Sequence, residues 1–117
     1  NRHIAAYFMS VTDPAQATLR AVMEANYMYN LSLEAYAKLC GQSLSSFKRN
    51  FQQIFDTSPG RWIMDKRVHF AKMLLLNTGK SVQEIAFESG FENPSHFTRV
   101  FKEKFNHTPQ QLRLQFR

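Results

Sequence analysis

The sequence predicts an all-α fold of about seven helices, arranged as two similar subdomains joined by a long connecting helix. Three observations carry that prediction. Apolar residues recur at helical spacing between residues suited to cap helix ends, no stretch alternates convincingly as a strand, and the second half of the chain repeats the first. At 117 residues, 44% hydrophobic and 21% charged, the chain is globular rather than disordered and makes one compact domain or two very small ones.

The repeat is read by setting the stretch from Ser32 beneath the stretch from Ser81. At an offset of 49, Ser32, Ala37 and Gly41 meet Ser81, Ala86 and Gly90. One inserted residue moves the offset to 50, and Ser45, Phe47, Arg49, Phe51, Phe55 and Pro59 then meet Ser95, Phe97, Arg99, Phe101, Phe105 and Pro109. Two copies are too few for a solenoid, so the repeat implies a pair of similar subdomains.

Each copy reads as two short helices with a tight break. Ser32 and Ser81 are N-caps, with Glu34 and Glu84 in the first turn. Leu33, Tyr36, Ala37 and Leu39, and Val82, Ile85 and Ala86, are the expected buried stripes. Gly41 and Gly90 end these helices where a left-handed residue is wanted. Ser43 and Asn93 cap the next helices, with Pro94 at a first position whose missing N–H costs nothing. Small residues at 37 and 86 let the two helices of each pair cross closely. Helix, Gly-containing turn, helix is the helix-turn-helix pattern.

The remaining segments also read as helical. Asp13-Pro14 starts a helix through Tyr29, with Leu19, Val22, Met23 and Met28 as its inward candidates. A longer helix runs from Gly60 to Asn77, with Trp62, Ile63, Phe70, Ala71, Leu74 and Leu75 largely at helical spacing and Thr78-Gly79 as its stop. A short seventh helix follows Pro109. The expected division is 1–12 as linker or tail, 13–77 as the first subdomain with the connecting helix, and 78–117 as the second subdomain.

The second helix of each pair, at 44–55 and 94–105, carries the chemistry. In the first, Phe47, Phe51, Ile54 and Phe55 form one apolar stripe, and the opposite face presents Ser45, Lys48, Arg49 and Gln52. In the second, Phe97, Val100, Phe101 and Phe105 are the buried set, and Ser95, His96, Thr98, Arg99 and Lys102 look outward. A face of hydroxyls, amides and Arg, free of Asp and Glu near its N-terminus, suits the major groove. There Arg bonds guanine O6 and N7 bidentately, and hydroxyls contact bases or phosphates. Any solvated helix carries polar residues, but Arg recurs at the same outward position of both copies.

Charge agrees with that reading. The formal net charge is +6 and the pI near 9.8, a balance that favours an anionic partner. Residues 61–80 hold five cations (Arg61, Lys66, Arg67, Lys72 and Lys80) against Asp65 alone, so the excess sits in the middle of the chain.

These residues resemble the DNA-binding region of AraC/XylS-type transcriptional regulators. Ile85-Ala86, Gly90-Phe91, Phe97, Arg99, Phe101-Lys102, Phe105 and Pro109 stand in the order of that family's signature, and the likeness runs from Leu19 to Leu114. The connecting helix, with Arg67, Ala71 and Leu74-Leu75, is also similar to the family's linker. Asp56 and Asn106 stand where the family usually has Gly, and both tolerate the left-handed conformation. Gln42 stands where the second copy has Phe91, and Leu44-Ser45 open the first reading helix with little hydrogen-bonding reach.

The resemblance implies a bacterial regulator that places two recognition helices in successive major grooves on one face of double-stranded DNA. By position, Ser45, Lys48 and Arg49 would be the first readers, and Ser95, His96, Thr98 and Arg99 the second. RNA polymerase is a further partner of many activators of this type, with no contact surface assigned here. The chain opens on Asn1 rather than Met and is read as a fragment that is monomeric by itself, with room upstream for the sensing or dimerisation domain that many members carry.

Other chemistry is weakly marked. His3, His69, His96 and His107 lack His-x-x-x-His or carboxylate spacing, so neither a metal site nor a cofactor is expected. Cys40, near the end of a short helix, is expected to be a buried, inert thiol, and a lone cysteine fits a reducing cytoplasm. Glu84 and Glu88 are one turn apart, but first-turn capping and a solvated face account for them better than acid–base catalysis. His96 stands open between contacting DNA and capping the helix start. Neither a signal peptide nor an apolar run long enough to span a membrane is expected. Two alternatives to a transcriptional regulator are a helical protein-interaction module, whose outward faces would want aromatic anchors, and an accessory domain of a nucleic-acid-modifying enzyme, for which no catalytic constellation is present.

Overall fold

The computed structural model describes residues 14–116; the tail expected at 1–12, and Asp13, lie outside the described residues. Seven helices are present there: α1 (Pro14–Asn26), α2 (Leu33–Leu39), α3 (Leu44–Phe55), α4 (Pro59–Asn77), α5 (Val82–Glu88), α6 (Pro94–Phe105) and α7 (Pro109–Gln115). They form two compact units, one of residues 14–26 and 31–59, the other of residues 27–30 and 60–116. The long helix α4 connects the two helix-turn-helix motifs along the chain.

In the first unit, α1 contributes Leu19 and Met23, α2 Tyr36 and Ala37, and α3 Phe47 and Phe51, all buried. Phe51 packs between Phe47 and Phe55, with ring centroids at 5.7 and 4.3 Å. Arg20 lays its guanidinium over the Phe55 ring at 4.6 Å. Expectation fails at several places here. Leu39 is 52% exposed, because it lies two residues, about 200° of helix, beyond Ala37 and so points away from the core. Cys40 is only partly buried; burial still pushes its thiol pKa up. And α1 stops at Asn26 rather than Tyr29, where tertiary donors take over the carbonyls: the Tyr36 hydroxyl donates to Asn26 O at 2.9 Å.

The second unit is built on Val68, Ala71 and Leu75 of α4, Ile85 and Ala86 of α5, Phe91 in the turn just before α6, Phe97 and Phe101 of α6, and Leu112 of α7. Val100 and Phe105, expected in the core, are only partly buried against it, as are Ile54 and Phe55 in the first unit. These residues flank their stripes rather than centre them. Arg113 closes the C-terminal end of α4: its guanidinium donates to the carbonyls of Leu75 (3.3 Å), Thr78 (3.1 Å) and Lys80. Carbonyls that no helix turn can satisfy are thereby met by a cation where the helix dipole is negative.

The segment 27–30 is held in this unit by one side chain. Arg67, 5% exposed, donates from Nε to Tyr27 O at 2.7 Å and from Nη2 to Tyr29 O at 2.8 Å. Tyr27 in turn meets Trp62 and Phe70 edge-on, at 6.2 and 6.1 Å.

The two helix pairs match in detail. Both first helices have seven residues and both second helices twelve. Ser32, Ser43, Ser81 and Asn93 all cap as expected, and Ser81 with Glu84 forms a full capping box. Gly41 and Gly90 lie at φ +69 and +100. Each closes a Schellman motif: Gln42 N donates to Ala37 O and Phe91 N to Ala86 O, both at 3.0 Å. Asp56 and Asn106 take the left-handed cap at φ 57 and 66.

Candidate nucleic-acid interface

Capping and packing together aim the polar faces of α3 and α6. The Ser43 hydroxyl accepts from Ser46 N at 3.2 Å, and Asn93 Oδ1 from His96 N at 2.8 Å. Buried Phe47 and Phe51, and Phe97 and Phe101, then fix the rotation of each helix about its axis. What remains outward on α3 is Ser45, Lys48, Arg49 and Gln52, all exposed. On α6 it is Ser95, Arg99 and Lys102, exposed, with Thr98 and His96 half-buried. Neither first turn contains an acidic residue, so the positive end of each helix dipole is left uncompensated.

Of the residues expected to read the second half-site, the structure brings Ser95, Thr98 and Arg99 together on one side of α6 and leaves His96 apart. Pro94, Ser95, Thr98, Arg99 and Lys102 line a shallow hollow of about 390 Å³ on α6. In the first unit Arg49 Nη2 donates to Ser46 Oγ at 3.4 Å, which steadies the guanidinium on the outward face. The equivalent of Ser46 is His96, whose ring lies edge-on to Phe91 at 5.6 Å. Asn93 rather than His96 supplies the cap, and the His96 side chain is half-buried.

The basic middle of the chain serves a different purpose from the one its charge suggested. Arg67 is buried on backbone carbonyls, Lys80 pairs with Glu88 at 2.7 Å, and Lys72 sits over the Phe105 ring at 4.7 Å. Lys66 lies over Trp62 at 5.3 Å. Arg67, Lys72 and Lys80 thus join separate elements through carbonyl bonds, a cation–π contact and an ion pair, and Lys66 covers a ring of its own helix. Among the described residues, Lys48, Arg49, Arg99 and Lys102 have no carboxylate partner. The cations of the two outward faces are therefore open to an anionic ligand. Among the described residues there is no group of three His, Cys, Asp or Glu able to hold a metal ion, and no helix long and apolar enough to cross a membrane.

A family model described as a helix-turn-helix domain matches residues 36–115. A structure of an AraC-type regulator from Chromobacterium violaceum superposes with a TM-score of 0.75 at 31% identity, covering 91% of this chain and 95% of that one. The chain belongs to the AraC/XylS family of helix-turn-helix DNA-binding domains. A further structure, the DNA-binding domain of the global transcriptional factor AdpA in complex with a target DNA, superposes with a TM-score of 0.79 at 25% identity, covering 91% of this chain and 95% of that one. Among relatives, the virulence regulon transcriptional activator VirF of Yersinia enterocolitica is 38% identical over 96 residues, which is 82% of this chain and 35% of VirF. The chain thus spans about a third of the length of VirF, and of the thermoregulatory protein LcrF of Yersinia pestis.

Proposed function

We propose that this chain binds double-stranded DNA sequence-specifically, as the DNA-binding part of a bacterial transcriptional regulator. The observation that carries the proposal is the paired arrangement of α3 and α6. Each is rotated by two buried Phe residues so that an Arg without a carboxylate partner, Arg49 or Arg99, stands outward at the same position. In this reading the two helices enter successive major grooves, about 34 Å apart on one face of DNA. Ser45, Lys48 and Arg49 meet the first half-site, and Ser95, His96, Thr98 and Arg99 the second. The AdpA domain, with the same fold, is described in complex with its target DNA, and VirF is described as an activator. By that likeness the full protein acts in the cytoplasm on the nucleoid, with RNA polymerase as a second partner. The chain by itself acts as a monomer.

The decisive experiment is selection of bound sequences from a random duplex library with the 117-residue chain, followed by titration of the best duplex at several salt concentrations. The expected result is a bipartite site whose affinity falls steeply with salt, each neutralised phosphate adding roughly −0.9 to the slope of log K against log salt. Inserting about five base pairs between the half-sites turns one to the opposite face, so affinity drops toward the non-specific level. Absence of any enriched sequence, or a flat salt response, rejects the proposal.

A further inference from the structure

The two reading faces are alike through their first two turns and part company at the third. Ser45, Lys48, Arg49 and Gln52 stand at i, i+3, i+4 and i+7 on α3; the same places on α6 hold Ser95, Thr98, Arg99 and Lys102. That four-position stripe is the set of side chains through which a homeodomain recognition helix reads base edges. Resting on the DNA-binding proposal above, we infer that Gln52 reads an adenine in the half-site bound by the first copy, and that Lys102 contacts a phosphate at the matching place in the second.

The second unit shows which side of the helix belongs to DNA. Lys102 lies with Ser95, Thr98 and Arg99 in the hollow on α6. Its neighbour Glu103 lies on the other side, in a groove with Val100 and Lys104 of α6 and with Met64, Asp65 and Val68 of α4. A carboxylate there marks the edge of any face that meets a polyanion. Carried to the first copy, Glu103 corresponds to Gln53 and Lys102 to Gln52. Gln52, not Gln53, is on the reading side.

Chemistry then separates the two positions. The Gln52 side chain is exposed and has no hydrogen-bond partner among the described residues, whereas the amide of Asn50, on the same helix, is tied to Gln42 Oε1 at 3.0 Å. A free carboxamide offers a donor and an acceptor side by side, matching N7 and N6 of adenine in the major groove. An ammonium offers donors only and acts as a compact point charge, which suits a phosphate oxygen and selects no base. The copies differ at this position in what they measure: base identity in one, backbone charge in the other.

The test is sequence selection and salt titration with the 117-residue chain as wild type, Gln52→Ala, Lys102→Ala and Arg99→Ala, each checked for native circular dichroism. Arg99→Ala identifies the half-site of the second copy. Gln52→Ala is expected to lose a preference for adenine at one position of the other half-site. Its affinity for the best duplex should fall about 5- to 150-fold with no change in salt slope. Lys102→Ala is expected to weaken all duplexes alike and to make the slope shallower by roughly 0.9. If Gln52→Ala selects the same sequences as wild type, or weakens all duplexes with a shallower slope, Gln52 is not a base reader. If wild type selects nothing, the DNA-binding proposal falls and takes this inference with it.

Discussion

A Cβ placed on Gly90 would lie 2.8 Å from Nε of Arg67 and 2.8 Å from the carbonyl oxygen of Met28. The turn of the second helix-turn-helix therefore closes directly over the guanidinium that holds residues 27–30. Gly41 occupies the same place in the first copy, yet nothing lies within 4 Å of its would-be Cβ. Two glycines with one role in the sequence thus answer to different constraints.

Alanine at these positions should separate those constraints. Gly41→Ala meets only the left-handed backbone penalty, about 1–2 kcal/mol. Gly90→Ala meets that penalty together with a clash against backbone and a buried cation, and should cost clearly more. Urea denaturation of both variants checks this; equal losses would show that the contact at Gly90 relaxes freely.

Arg67→Met should destabilise the chain by about 3 kcal/mol or more, since it leaves the Tyr27 and Tyr29 carbonyls without a charged donor. Where the variant remains folded, its salt slope for DNA should equal that of wild type. A shallower slope would return Arg67 to the phosphate-binding set.

Arg99→Ala and Phe101→Ala should fail in different ways. Arg99 is exposed, so its variant should keep native circular dichroism and lose about 1–3 kcal/mol at the selected duplex through a missing guanine contact. Phe101 is fully buried, and its variant should lose about 3–5 kcal/mol of folding stability. An Arg99→Ala protein that binds its best duplex with unchanged affinity and selectivity would remove Arg99 from the readers.

The capping box of α5 should make stability pH-dependent. The Ser81 backbone N–H, then the Ser81 side chain, hold the exposed Glu84 carboxyl below the usual carboxylate range, with Lys80 adding a smaller pull. A depressed pKa means that the stabilisation is complete above the unfolded carboxylate value, about 4.3, and is lost as pH falls through the lower folded value. Ser81→Ala should cost about 1 kcal/mol near neutrality. The gap between variant and wild type should narrow in acid, once Glu84 is protonated in both. Denaturation curves measured near neutrality and below the carboxylate range test this; a gap that widens in acid contradicts it.

Much of the candidate site was legible because it depends on local rules. Ser43 and Asn93 are caps wherever a helix follows them, and Phe at i and i+4 turns its helix so that Arg49 or Arg99 faces water. The role of the basic middle was not legible. Lys66, Lys72 and Lys80 look like phosphate ligands in a charge count, and only the folded chain shows their partners: Tyr27 and Trp62 for Lys66, Phe105 for Lys72 and Glu88 for Lys80.

The sequence by itself determined the number of helices, their caps, their left-handed stops and the outward Arg of each copy, since each follows from a few neighbouring residues and the 3.6-residue period. Tertiary structure decided the rest. It packed Val68, Ala71 and Leu75 of α4 into the core of the second unit. It ended α1 at Asn26, where the Tyr36 hydroxyl takes the carbonyl, and buried Arg67 on the segment that follows. It also turned Leu39 out to solvent. In each case the deciding partner lies ten or more residues away, or the outcome depends on which face a neighbouring helix covers, and no local pattern carries that information.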